Sequence, residues 1–213
     1  MKPQSQSRLL VPGAAGALEV VINPLEQTAR GLALLAHPHP LHGGTLDNKV
    51  VQTLAKACFG LGYVPVRMNF RGVGASEGEH SQGEGETQDW LSVLQAMRER
   101  YGELPVLLGG FSFGAFVQSK VARILTGRGD PPLCIVFVAP AVGRFLVEPV
   151  SVDTLVIHGD QDDVVALADV LAWARPQQLP VTVLPGSGHF FHGYLLRLQQ
   201  VVTRYCATIG SIR

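Results

Sequence analysis

Short continuous apolar runs alternate along this chain with longer stretches in which apolar residues recur every three or four positions. Residues 8–11 and 17–22 flank Pro12-Gly13-Ala14-Ala15-Gly16 and predict an antiparallel hairpin. Residues 31–36 are apolar throughout, the pattern of a strand buried on both faces. Further strands are predicted at 63–69, 104–108, 133–138, 154–158 and 181–184. Helical spacing fills 46–59, 87–101, 115–125, 167–174 and 194–207; in the second of these Trp90, Val93, Leu94 and Met97 share one face and Gly102 follows the end. Residues 72–85, rich in Gly, Ser and Glu, read as a long loop. Strands alternating with helices at these lengths predict parallel βαβ units with right-handed crossovers, so helices should cover both faces of one sheet.

Composition narrows the class. A chain of 213 residues can bury one sizeable core, so a single domain spanning 1–213 is expected. With 46% apolar and 16% charged residues it is an ordinary globular composition. Zero formal net charge argues against a nucleic-acid surface and against a polybasic membrane anchor. No apolar run approaches the roughly 18 residues of a membrane span. The first eight residues, Met1 to Arg8, are polar and lead into no signal-peptide core. Cys58, Cys134 and Cys206 are far apart in apolar contexts and read as buried thiols, which points to a reducing cytoplasm. No internal repeat or low-complexity tract appears.

The candidate chemistry centres on Gly109-Gly110-Phe111-Ser112-Phe113-Gly114, between a predicted strand and a predicted helix. A small-x-Ser-x-small turn at such a junction is the pattern of a nucleophile elbow: the serine sits on a sharp turn above the sheet, and bulky neighbours two residues away would collide. A plain strand–helix turn uses glycine too, so the other groups decide. His189 follows the last predicted strand, and His192, three residues on, competes with it as a base. Asp160, Asp162 and Asp163 all follow the strand at 154–158. Ser112, an aspartate and His189 thus lie past the carboxyl ends of separate strands, where active groups gather in open α/β sheets. In His37-Pro38-His39-Pro40 the prolines have no N–H, which leaves His39 and Leu41 as backbone donors near the first buried strand. His37, His39 and His42 also allow a metal reading, weakened by the lack of an adjacent Cys, Asp or Glu. His158 reads as a core histidine, Phe190-Phe191-Tyr194 as core, and Arg71 with Asp89 as a structural ion pair. Gly72-Val73-Gly74 lacks the spacing and the following helix of a dinucleotide loop.

Five motifs in order carry a resemblance: His37-Pro38-His39-Pro40 with Gly43-Gly44; Asn69-Phe70-Arg71-Gly72-Val73-Gly74-Ala75-Ser76; Gly110-Phe111-Ser112-Phe113-Gly114; His158-Gly159-Asp160-Gln161-Asp162; and Gly188-His189-Phe190-Phe191. Together they resemble the α/β-hydrolase superfamily, in particular its small, lidless bacterial esterase-like members. The resemblance implies a doubly wound, mostly parallel sheet with an antiparallel N-terminal hairpin and helices on both faces. It implies Ser112 as nucleophile, Asp162 as the acid, His189 as the base, and the amides of Phe113 and His39 as the oxyanion hole. The acid-bearing motif ends on Ala166 where the family usually has proline, and Asp163 is an additional acid. Residues 139–153 are too few for a helical lid. The expected function is hydrolysis of a small or medium acyl ester through an acyl-enzyme, with no metal and no organic cofactor. A thioesterase or serine peptidase on the same groups, and a non-catalytic binding module on the same scaffold, are the alternatives. No nucleic-acid partner is expected, and a homodimer is left open.

Overall fold

The computed structural model describes residues 6–25 and 27–209; the first five residues of the polar N-terminal stretch lie outside them. Strands β1 (Ser7–Gly13) and β2 (Gly16–Ile22) form the predicted hairpin, Gly13 facing Gly16 across the turn. They continue into a parallel set: β3 (Gly31–Ala36), β4 (Tyr63–Met68), β5 (Val106–Phe111), β6 (Cys134–Val138), β7 (Leu155–Gly159) and β8 (Val181–Leu184). The eight strands lie in the order β1-β2-β4-β3-β5-β6-β7-β8, with β2 antiparallel to β4 and every later pairing parallel. Register aligns the strand ends: Ala36 faces Gly110, Phe111 faces Val138, and Gly159 faces Leu184. The loops after β3, β5, β7 and β8 therefore open on one rim.

The helices are α1 (Lys49–Gly60), α2 (Glu84–Tyr101), α3 (Phe113–Gly127), α4 (Leu167–Ala174) and α5 (Leu195–Ile209). Alternation along each strand sorts the core into two layers. Leu32 and Leu34 join Trp90, Val93, Val117 and Val170 on the face of α2, α3 and α4. Ala33 and Leu35 join Val51, Leu54, Leu198 and Val202 on the face of α1 and α5. Each fully buried Leu or Val contributes about 1.5–3 kcal/mol. Cys58, Cys134 and Cys206 are buried free thiols in the second layer.

Element ends differ from the pattern where a side chain caps them. Helix α1 begins at Lys49 rather than 46, because the Asn48 side chain accepts the amide of Val50 at 2.9 Å. Helix α2 begins a turn before residue 87, because the buried Glu86 carboxylate accepts the amides of Ser81 and Gly83, each at 2.8 Å. Strand β5 runs on through Gly109 and Gly110 to Phe111.

The loop from Asn69 to Gly83 is built around a residue that the motifs did not include. Glu19 of β2 is buried; its carboxylate pairs with Arg8 and accepts from Asn69 Nδ2 at 2.6 Å and the Ala75 amide at 2.9 Å. Burial alone would raise its pKa, but the hydrogen bonds from Ala75 and Asn69 outweigh that and lower it. Gly74, at φ +59°, is needed because a Cβ there would strike Asn69 Nδ2 and Glu19 Oε2. The glycine-rich loop thus already encloses a carboxylate of the chain itself. Arg71 grips Asp89 through Nε and Nη2, both at 2.8 Å, and fastens this loop to α2.

Candidate active site

Ser112 is the residue between β5 and α3, with φ +55° and ψ −117°, a conformation that side chains other than hydrogen rarely adopt. Its amide donates to Val138 O at 3.0 Å, which anchors the turn to β6. The flanking glycines are required by contact. A Cβ at Gly110 would sit 2.5 Å from the Ala115 nitrogen, and one at Gly114 would strike the carbonyls of Ala36 and His37. The sharp turn holds Ser112 on the rim with its residue 8% exposed, within reach of solvent but not bathed in it.

The loops after β7 and β8 are laced together. Gln161 donates its amide to Ser187 O at 3.0 Å, Gly186 donates to Asp160 Oδ1 at 2.6 Å, and a Cβ at Gly159 would collide with Ser187 O. This lacing brings His189 between two partners: Nε2 lies 3.1 Å from Ser112 Oγ and Nδ1 lies 2.7 Å from Asp162 Oδ2. With the carboxylate able only to accept, Nδ1 carries the proton and Nε2 accepts from the serine hydroxyl. Rings of Phe111 and Phe190 pack against His189 at 5.0 and 5.1 Å.

Of the three aspartates, Asp162 is the one against the imidazole, and its side chain is fully buried. Its Oδ1 accepts the amides of Val164 at 2.9 Å and Val165 at 2.8 Å, so this residue forms an Asx-turn. Burial alone would raise the Asp162 pKa; the hydrogen bond from His189 and the two amides reverse that and lower it. Asp160 instead ties the two loops through Gly186, and Asp163 is exposed. His192 is exposed in a turn: Phe191 takes φ +53° and α5 starts only at Leu195. Phe190, expected in the core, is 47% exposed beside the site, while Phe191 is fully buried.

The histidine loop divides its side chains between distinct tasks. His37 is buried; Nδ1 donates to Pro38 O at 2.7 Å and Nε2 accepts the Phe70 amide at 2.9 Å. The Leu41 amide is occupied by His39 Nδ1 at 3.2 Å, whereas the amides of His39 and Phe113 have no hydrogen-bond partner among the described residues. Gly114 packed on the His37 carbonyl holds this loop against the start of α3. The His39 ring lies among His42, His80 and Phe113, with centroids 4.8, 4.9 and 4.7 Å away. Among the described residues no group of three His, Cys, Asp or Glu side chains is gathered as a metal would need. A cavity of about 490 Å³ opens over Ser112, His189 and Phe113, bounded further by Arg144, Phe145 and Val164.

Burial pushes the His37 ring down to about 4 from its ordinary 6.5, against the opposing hydrogen bond to Pro38. The unfolded ring takes up a proton below about pH 6.5 and the folded ring only below about 4, so stability falls as pH drops through that window. The expected loss is about 2.5 kcal/mol between pH 7 and 4.5. Urea unfolding at the two pH values should show it, and His37→Gln, which keeps an acceptor for Phe70, should flatten the difference by that amount.

A family model described as serine aminopeptidase, S33, matches residues 39–149. The solved structure of a Xanthomonas campestris protein, described as an a/b serine hydrolase without lid, is 32% identical with a TM-score of 0.87. It covers 98% of this chain and 96% of its own. The chain belongs to the α/β-hydrolase superfamily. A second α/β serine hydrolase homologue, from Coxiella burnetii, is 36% identical with a TM-score of 0.81, covering 96% of this chain and 99% of its own. A lysophosphatidylserine lipase of Danio rerio is 36% identical over 102 residues, 47% of this chain but only 26% of that relative. Residues 139–154 between β6 and β7 hold no helix. Among the described residues no helix of this α/β-hydrolase is long and apolar enough to cross a membrane.

Proposed function

We propose that this hydrolase cleaves carboxylic esters of small or medium acyl groups, as a single domain spanning residues 1–213. The observation that carries the reading is the unbroken chain Ser112 Oγ–His189–Asp162, at 3.1 and 2.7 Å, on a strained elbow. His189 takes the serine proton as Oγ attacks the acyl carbon, and Asp162 faces the imidazolium that forms. The charge on the acyl oxygen is met by the amides of Phe113 and His39, both free to donate, with the N-terminal end of α3 adding its dipole. His189 then protonates the leaving alcohol. Water, deprotonated by the same ring, releases the acid and restores Ser112. Every step uses the chain's own groups.

The open rim and a cavity of about 490 Å³ favour modest acyl groups over polymeric substrates. Three buried free thiols fit work in a reducing cytoplasm. A second reading keeps the chemistry and changes the substrate to a lysophospholipid. It is favoured by the match to the Danio rerio lipase and by the exposed apolar side chains of Leu41, at 70%, and Phe190, at 47%.

The test is a panel of p-nitrophenyl esters from acetate to dodecanoate, with acyl thioesters, aminoacyl amides and a lysophospholipid alongside. Turnover should peak among the short and medium esters, and a fluorophosphonate should label Ser112. Preference for aminoacyl amides would overturn the ester reading, and absence of both labelling and turnover would make the scaffold a non-catalytic binder.

A further inference from the structure

A second histidine stands against Asp162. His158 is the penultimate residue of β7 and is fully buried. Its Nε2 lies 2.9 Å from Val165 O. A carbonyl only accepts, so Nε2 carries the proton and donates. The same Nε2 is 3.5 Å from Asp162 Oδ2, the oxygen that accepts from His189. That distance is an electrostatic contact, not a second hydrogen bond. Nδ1 of His158 is buried without a hydrogen-bond partner among the described residues.

Two features make this more than packing. Val165 is held at both of its polar groups: its amide donates to Asp162 Oδ1 at 2.8 Å, and its carbonyl accepts from His158. The His158 ring therefore fixes the turn that orients the carboxylate. It also presents an N–H to Oδ2 without bringing a charge. Burial lowers the His158 pKa against the opposing pull of Val165 and Asp162, which disfavours a charge on the ring. A cation at that place would share the Asp162 charge with His189, which needs it when its own ring is protonated.

Resting on the catalytic reading above, we infer that His158 is a positioning residue, its Nε2–H set between Val165 O and Asp162 Oδ2 so that the carboxylate is aimed at His189 and reserved for it. Sequence spacing hid this, because residues 158 and 162 straddle a strand end and a turn.

Two amide replacements separate the role from simple packing. In His158→Gln the side-chain N–H reaches the Nε2 position; in His158→Asn it falls short. Each is measured for kcat and KM on a short p-nitrophenyl ester, with thermal melting as a check on folding. His158→Asn should lower kcat about 10- to 100-fold, as misplacement of a catalytic group does, and leave KM within about twofold. His158→Gln should recover most of the loss. If His158→Asn does not fold, His158→Leu takes its place in the comparison. Wild-type kcat in the folded variant lacking the N–H, or equal loss in both variants, overturns the inference. Ser112→Ala run alongside keeps the two readings apart: retained turnover there overturns the catalytic assignment itself, whatever His158 does.

Discussion

Ser112→Ala should lose roughly 10⁵-fold or more in kcat on an activated acyl ester, while melting within about 3 °C of the parent. The size of the loss follows from the chemistry. With no hydroxyl there is no acyl-enzyme, and His189 has no proton to take; only the backbone donors and the cavity remain to assist water directly. The small thermal effect follows from the geometry. Alanine at this position inherits the same φ of +55° and the same amide bond to Val138 O, so the strain and its anchor are unchanged. What disappears is one hydrogen bond at 3.1 Å, to His189, worth about 1 kcal/mol. Steady-state kinetics with a melting curve checks both halves. A variant that keeps even a tenth of the parent rate would remove Ser112 from the reaction.

Asp162→Asn should lose about 10⁴-fold in kcat. The replaced side chain is isosteric, and its oxygen can still accept from Val164 and Val165. Its amide nitrogen then faces His189 Nδ1 as a donor. The imidazole must answer by accepting at Nδ1 and carrying its proton on Nε2, the nitrogen that faces Ser112. A protonated Nε2 cannot take the serine proton, and the ring also loses the charge that would balance its cationic form. Asp160→Asn and Asp163→Asn should stay within about tenfold of the parent, since Asp160 serves Gly186 and Asp163 is exposed. Comparing the three variants on one ester decides the assignment. A larger loss at either neighbour than at Asp162 would reverse it.

The features legible in the amino-acid sequence were those with a local steric cause. Gly110 and Gly114 announce the elbow because nothing larger fits beside Ala115 or the Ala36 and His37 carbonyls. The buried parallel strands announce themselves as unbroken apolar runs, and α4 and β8 match their patterns end to end. The Arg71–Asp89 pair was legible from its charges, but other partnerships made across the fold were not. Glu19 serves Asn69 from 50 residues away, and no periodicity marks it as the centre of a loop. Which of three neighbouring aspartates meets His189 depends on side-chain direction in an Asx-turn, and spacing alone cannot state that. The exposed turn at His192 was not legible either, because Phe191 bends the chain with a positive φ that its residue type does not advertise. The early start of α2 rests on Glu86 reaching back to Ser81 and Gly83, a contact visible only once the turn is formed.

The tight seat of residue 114 on the main chain after β3 has a consequence for anyone who wishes to redirect this scaffold toward other acyl groups. There peptide backbone rests on peptide backbone, and a side chain at residue 114 has no room. The malleable part of the lining is Arg144, which stands in solvent on a connection that carries no helix. Libraries aimed there can reshape what enters while the strained serine keeps its footing.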